Sequence, residues 1–250
     1  MSYVLLGIIQ GLTEFLPVSS QGHLLIFQRL FHIPTNLALD TVLHLGTALA
    51  ATVYFRKEIV EILLYKRKLL WFLIIATFFT GLIGLSFKDF FESLFQSFEY
   101  VGPFFIVTGV VILLGEWRGK GQRGEGKMTT LDAALIGMAQ GISIIPSLSR
   151  SAMTISASLA RNLERKFAAR FSFLVSIPAI LGAGLVESKA IIKAGTIGIG
   201  FWPLGLGFLA ALVSGWLAIK LFMDIIQRMS IRIFAYYVLA LGILVLVFLR

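Results

Sequence analysis

The stretch Gly7-Ile8-Ile9-Gln10-Gly11-Leu12-Thr13-Glu14-Phe15-Leu16-Pro17-Val18-Ser19-Ser20-Gln21-Gly22-His23 is written again, in altered form, in the second half of the chain. The second copy reads Gly137-Met138-Ala139-Gln140-Gly141-Ile142-Ser143-Ile144-Ile145-Pro146-Ser147-Leu148-Ser149-Arg150. Both run Gly-x-x-Gln-Gly, an apolar residue, Thr or Ser, and then a proline with a serine three residues beyond it. The first copy has one extra residue before its proline. Where the copies differ, polar groups appear. Glu14 and His23 have no counterpart in the second copy, and Arg150 falls where the first has Gln21. A carboxylate, an imidazole, serines and a guanidinium on two matched segments are the parts of a phosphate site.

The chain around these copies is 58% hydrophobic and 14% charged over 250 residues, too few charges to cover a soluble globule of this size. It reads as an all-α polytopic membrane protein in a single membrane domain, 1–250. Apolar runs near 37–55, 69–87, 100–116, 171–187, 198–219 and 231–249 are long enough to cross hydrocarbon, which takes about 20 helical residues. Two more, near 2–31 and 129–160, are interrupted by a proline and a serine cluster. They are expected to be re-entrant helical hairpins, because irregular backbone at membrane depth survives only inside protein or beside a water-filled cavity.

The net charge of +9 does not point to nucleic acid, because the basic residues sit in short loops between spans. Arg56, Lys57 and Lys66–Lys68 form one group. Arg118, Lys120, Arg123 and Lys127 form a second, Arg161, Arg165, Lys166 and Arg170 a third, and Lys220, Arg228 and Arg232 a fourth. By the positive-inside rule these four groups face the cytoplasm, and Arg29, Lys88, Lys189, Lys193 and Arg250 face outward. The division places repeat one at 1–116, a linker at 117–128 and repeat two at 129–250. Each repeat holds one hairpin and three spans, so an odd number of crossings inverts the second against the first. The hairpin tips then meet near the midplane, with half-helices that begin just after Pro17 and Pro146 aiming free N–H groups at an anion. There is no cysteine and hence no thiol or disulfide chemistry. The N-terminus lacks a basic n-region and a small-residue cleavage site, so the first hairpin is expected to be kept.

Gln10 and Glu14 are four apart and share a helix face. A carboxylate fourteen residues into an apolar stretch is costly to bury and marks a polar site. Ser20 and His23 are both candidates for nucleophile, base or acid beside Ser19. Arg150 offers a planar fork of donors suited to phosphate oxygens, flanked by Ser149 and Ser151. The bland reading of Ser20 and Ser149, the hydroxyls related by the repeat, is helix capping. Asp40 and His44, also four apart, are expected to stand behind the reacting groups rather than among them.

At Glu14–His23 and Ser149-Arg150-Ser151 the chain resembles the bacterial undecaprenyl pyrophosphate phosphatases, also called the bacitracin-resistance family. The likeness runs over essentially the whole length. The family's second motif usually reads Pro-Gly-x-Ser-Arg-Ser-Gly-x-Thr; here it is Pro146-Ser147-Leu148-Ser149-Arg150-Ser151-Ala152-Met153-Thr154, with both glycines replaced. The first motif commonly has Glu at both ends of the four-residue spacing, whereas here the first is Gln10.

The resemblance implies hydrolysis of undecaprenyl pyrophosphate to the monophosphate on the outer face of the cytoplasmic membrane, which recycles the lipid carrier of peptidoglycan synthesis and confers bacitracin resistance. The implied catalytic residues are Glu14, Ser20, His23 and Arg150, with Ser19, Ser149, Ser151, Thr154 and Gln10 holding phosphate. It also implies a divalent cation, Mg2+ or Ca2+, on Glu14, held weakly with one carboxylate missing and completed by pyrophosphate oxygens. The partners are then the polyprenyl pyrophosphate lipid and the bilayer, without nucleic acid; monomer and homodimer both stay open.

A transporter or flippase for a phosphorylated polyprenyl lipid is the rival of a different class, since inverted repeats with broken helices also build transporters. A membrane phosphatase of the acid-phosphatase-like type needs a histidine after its Ser-Arg motif, and this chain has only His23, His32 and His44.

Overall fold

The computed structural model describes residues 2–94, 98–119, 121–194 and 198–249; Lys120 and Arg250, both used in the charge topology above, lie outside them. Twelve α-helices are described. They are α1 (Ser2–Phe15), α2 (Ser20–Leu30), α3 (Leu37–Tyr54), α4 (Arg56–Leu64), α5 (Arg67–Ser86), α6 (Lys88–Leu94), α7 (Val101–Arg118), α8 (Thr130–Ile142), α9 (Arg150–Ala160), α10 (Arg165–Ala194), α11 (Phe201–Arg228) and α12 (Arg232–Phe248). Five helical stretches are long and apolar enough to cross a membrane: Leu37–Tyr54, Arg67–Ser86, Phe98–Arg118, Arg165–Lys193 and Phe201–Arg228. The sixth expected span, α12, is apolar but has 17 residues, at the lower end of crossing length. The first basic segment, read as a loop, is largely the helix α4. Both hairpins are present, as α1–α2 and α8–α9.

The repeated glycines decide where each hairpin sits. A Cβ added at Gly7 would stand 2.3 Å from the Gly207 carbonyl oxygen on α11, and one at Gly137 would stand 2.3 Å from that of Ala76 on α5. Small residues four apart, Gly7 with Gly11 and Gly137 with Gly141, thus let each hairpin's first arm approach a long helix closely, the usual way helices associate where water supplies no hydrophobic drive. The pairings are matched: α1 lies on α11, and α8 lies on α5. Where α1, α10 and α11 meet, a fully buried aromatic cluster forms, with Phe15 edge-on to Phe173 at 5.3 Å and Phe173 tilted to Phe222 at 5.7 Å.

The basic segments converge on one end of the bundle. Asp132, fully buried at the start of α8, receives Arg123 Nη2 at 2.7 Å and Arg161 Nε at 2.6 Å. Arg165 pairs with Glu116, and Arg170 pairs with both Glu58 and Glu125. Glu116 also accepts from the backbone N–H of Ile231 at 2.9 Å. Residues from the four segments are therefore laced together. Burial acts to raise the Asp132 carboxyl, but hydrogen bonds from Arg123, Arg161 and Thr129 outweigh it and hold the group at about 2. Elsewhere, Arg29 stacks over the Phe98 ring at 4.4 Å, and Thr41 donates to Glu187 at 2.7 Å.

Candidate active site

The two hairpin tips touch. Ser151 Oγ donates to the Leu16 carbonyl at 2.8 Å, and Arg150 Nη2 reaches Glu14 Oε1 at 2.8 Å. The interrupted α1–α2 and α8–α9 pairs allow this contact because α1 ends at Phe15 and α8 at Ile142, ahead of their prolines, and each pair restarts on a serine cap. The restart comes later than the prolines alone imply: Pro17 and Pro146 lie in the turns, and the caps are Ser19 and Ser149, which accept from the N–H groups of Gly22 and Ala152 at 3.3 and 3.2 Å. Capping is therefore shared by Ser19 and Ser149, not by Ser20 and Ser149. Ser20, one residue inside α2, is freed for another bond.

That bond goes to Glu14. Ser20 Oγ donates to Glu14 Oε2 at 2.6 Å, and Gln10 Nε2 donates to the same oxygen at 2.8 Å. His44 Nε2 faces it from α3 at 3.7 Å, with its Nδ1 held 2.8 Å from the Asp40 carbonyl. A buried carboxylate thus meets one guanidinium, one hydroxyl, one amide and one imidazole. It sits in a cavity of about 190 Å³ also lined by Ser19, Thr80, Gln140, Ser143 and Ser149. Arg150 Nη1 is buried beside it without a hydrogen-bond partner. A buried guanidinium nitrogen left open is costly unless a ligand's oxygens complete it.

Other expected residues fall elsewhere. His23 does not line the cavity: its Nδ1 is 2.7 Å from the Ser19 carbonyl and its Nε2 is 2.7 Å from the Tyr237 hydroxyl, while its ring packs against Phe105 and Tyr237. Thr154 also points away, sharing a 2.5 Å hydrogen bond with Ser172. Asp40 accepts from Gln28 Nε2 at 3.1 Å rather than entering the cavity. Thr80, Gln140 and Ser143 were missed as lining residues. Gln140 had a signal, as the repeat partner of Gln10, but its amide donates to Thr80 Oγ1 at 3.1 Å and meets no carboxylate. Thr80 had none, because its place depends on where α8 lands on α5.

Glu14 is a poor resident metal ligand as it stands. Its Oε1 accepts from Arg150 and its Oε2 from two donors, and among the described residues no three His, Asp or Glu side chains converge. The side chains described do not make a cation site by themselves.

The bacitracin resistance protein BacA family matches residues 3–244. The chain belongs to this family. It is 46% identical to an undecaprenyl-diphosphatase of Carboxydothermus hydrogenoformans, over 98% of this chain and 95% of that protein. An undecaprenyl-diphosphatase of Methanosphaera stadtmanae is 37% identical over 99% and 97%, and undecaprenyl-diphosphatase 4 of Bacillus thuringiensis subsp. konkukian is 42% identical over 97% and 94%.

Against the BacA pattern, the departures at 10, 147 and 152 have different consequences. Gln10 donates its amide to Glu14 Oε2. Ser147 adopts φ +63°, the left-handed region glycine tolerates, and its hydroxyl is fully buried with no partner. Ala152 keeps its N–H on the Ser149 cap and buries its methyl completely.

Proposed function

We propose that this BacA family chain hydrolyses undecaprenyl pyrophosphate to undecaprenyl phosphate and inorganic phosphate, so returning the lipid carrier to peptidoglycan synthesis and conferring bacitracin resistance. The relatives named above are called undecaprenyl-diphosphatases. The observation that carries the reading in this chain is the 2.6 Å bond from Ser20 Oγ to Glu14 Oε2, beside the open Nη1 of Arg150.

Ser20 is the nucleophile, a choice the sequence leaves open. Its hydroxyl faces the cavity and already donates to a carboxylate base, whereas both ring nitrogens of His23 are engaged outside the cavity. The pyrophosphate enters against Arg150 Nη1 and the N–H groups at the starts of α2 and α9. Ser20 Oγ attacks the terminal phosphorus as Glu14 takes its proton, and the bond to the bridging oxygen breaks, releasing undecaprenyl phosphate. Glu14 passes this proton to the departing undecaprenyl phosphate and is a free base again; water then attacks the phosphoserine, Glu14 takes the water's proton and returns it to Ser20 Oγ as the serine O–P bond breaks, and inorganic phosphate leaves. Arg150 stabilises the charge on the transferred phosphoryl in both steps. The divalent cation implied by the family, Mg2+ or Ca2+, would be carried on the pyrophosphate oxygens and would neutralise part of their charge, while Glu14 serves as the base.

The two halves, 1–116 and 129–250, form inverted repeats about the site. The matched docking of α1 on α11 and α8 on α5 supports this, as does the head-on meeting of the hairpin tips. The cavity opens to the outer face of the cytoplasmic membrane, because the basic ion-pair end of the bundle marks the inner face.

Phosphate release by the purified protein in detergent tests the activity, and a quenched reaction tests the nucleophile. Phosphoserine survives acid and phosphohistidine does not. Acid-stable label on wild-type protein, absent from Ser20→Ala, is expected. Acid-labile label would return the role to His23.

A further inference from the structure

A larger space adjoins the catalytic cavity. Between α4, α5 and α10 runs an apolar groove of about 710 Å³, with Ile62 and Leu174, both buried, at its floor. Thr77 is the one polar side chain among the described residues that line it. The two spaces share their walls. On α5, Thr77 and Gly81 face the groove while Thr80 lines the cavity; on α10, Ile177 and Pro178 face the groove while Ala179 and Ile180 line the cavity.

We propose that this groove is the subsite for the first isoprene units of the polyprenyl tail, and that its width at Gly81 sets how strongly the tail contributes to binding. The inference rests on the phosphatase reading and adds the tail's path to it. A head group held by Arg150 must leave through lipid-facing protein, since its tail is too apolar for water. The groove's lining residues are the immediate neighbours of the cavity's along both α5 and α10. Its volume lies in the range that buries a drug-sized ligand, so it holds the start of a long chain and leaves the remainder to the bilayer. It differs from an ordinary lipid-facing helix surface in being recessed, with buried side chains beneath it.

Gly81 makes the test clean. A Cβ there meets no atom within 4 Å, so a larger residue fills the groove without forcing the backbone, and leucine is a better helix former than glycine. Purified wild type and Gly81→Leu are assayed for phosphate release from dimethylallyl pyrophosphate, too short to fill the groove, and from farnesyl pyrophosphate, which extends along it. In Gly81→Leu the KM for farnesyl pyrophosphate should rise roughly tenfold, the scale on which an apolar pocket senses a methylene or more, with kcat and the dimethylallyl parameters unchanged. Leu114→Trp adds bulk to an exposed face of α7 outside the groove and should alter neither substrate.

Equal changes for both substrates, or no change for either, would overturn the tail subsite; the latter is also the result if the groove holds only phospholipid acyl chains. If wild type releases phosphate from neither substrate, nor from undecaprenyl pyrophosphate, it is the phosphatase reading that fails.

Discussion

Arg150 on the second hairpin and Glu14 on the first are 2.8 Å apart, and this pair ties together the two copies of the repeated motif at the one place where each carries a charge the other lacks. Neither partner is mobile on a surface: the Glu14 side chain is 5% exposed and that of Arg150 14%. A charge pair this buried is weak evidence for stability, yet breaking it strands a charge. The pair therefore ties the two hairpin tips together and leaves Arg150 Nη1 without a partner.

Arg150→Lys separates charge from geometry. Lysine keeps the pairing with Glu14 but loses the second nitrogen of the fork, so phosphate release should fall at least about 100-fold, the effect of losing one transition-state donor. Activity within threefold of wild type would remove the residue from the chemistry. Arg150→Ala is a poorer test because the unpaired Glu14 would cost about 3–5 kcal/mol of stability.

Gln10→Glu puts a second carboxylate where an amide now donates to Glu14 Oε2 at 2.8 Å. Two carboxylates at that distance must share a proton or a cation. The variant's melting temperature in chelator should fall below that of wild type and recover with Mg2+ or Ca2+. An unchanged melting temperature in chelator would show that the amide bond contributes nothing and that the site tolerates the added charge.

Ser147→Gly should stabilise the protein. It relieves a left-handed serine, which costs about 1–2 kcal/mol, and removes a buried hydroxyl without a partner, against about 0.5–1 kcal/mol of added chain entropy. A net gain near 1 kcal/mol is expected in thermal denaturation in detergent. A loss would mean that the hydroxyl is bonded in solution.

Asp132 gives a pH dependence of defined sign. Its folded carboxyl titrates at about 2, below the unfolded value near 3.9, so its contribution is fully present above pH 5 or so and disappears as pH falls toward 2. The stability gap between wild type and Asp132→Asn should close over that window and stay constant between pH 6 and pH 8. A gap that persists at pH 2.5 would assign the effect to packing instead.

Topology is tested by labelling. Ser93 and Gln122 are both exposed, and only the charge pattern distinguishes their sides. A cysteine at Ser93 should react with an impermeant thiol reagent added to intact cells and one at Gln122 should not; the reverse result would move the cavity to the inner face.

The sequence by itself determined the membrane class, both hairpins, Glu14 and Arg150 as the charged site candidates, and the grouping of the basic segments. These rest on signals local in the chain: apolar length, a proline with serines, and a motif that occurs twice. Only the tertiary structure separates the surroundings of Ser20 and His23: the two lie three residues apart on α2 and face different neighbours, Glu14 for one, and Tyr237, from the far end of the chain, for the other. It also assigned the caps to Ser19 and Ser149, a one-residue offset that the motif alignment hides. His44 and Thr80 likewise line the cavity through packing between distant segments. Thr80 reaches the cavity because Gly137 lets α8 come into backbone contact with α5, and close packing between distant segments leaves no spacing rule in the sequence.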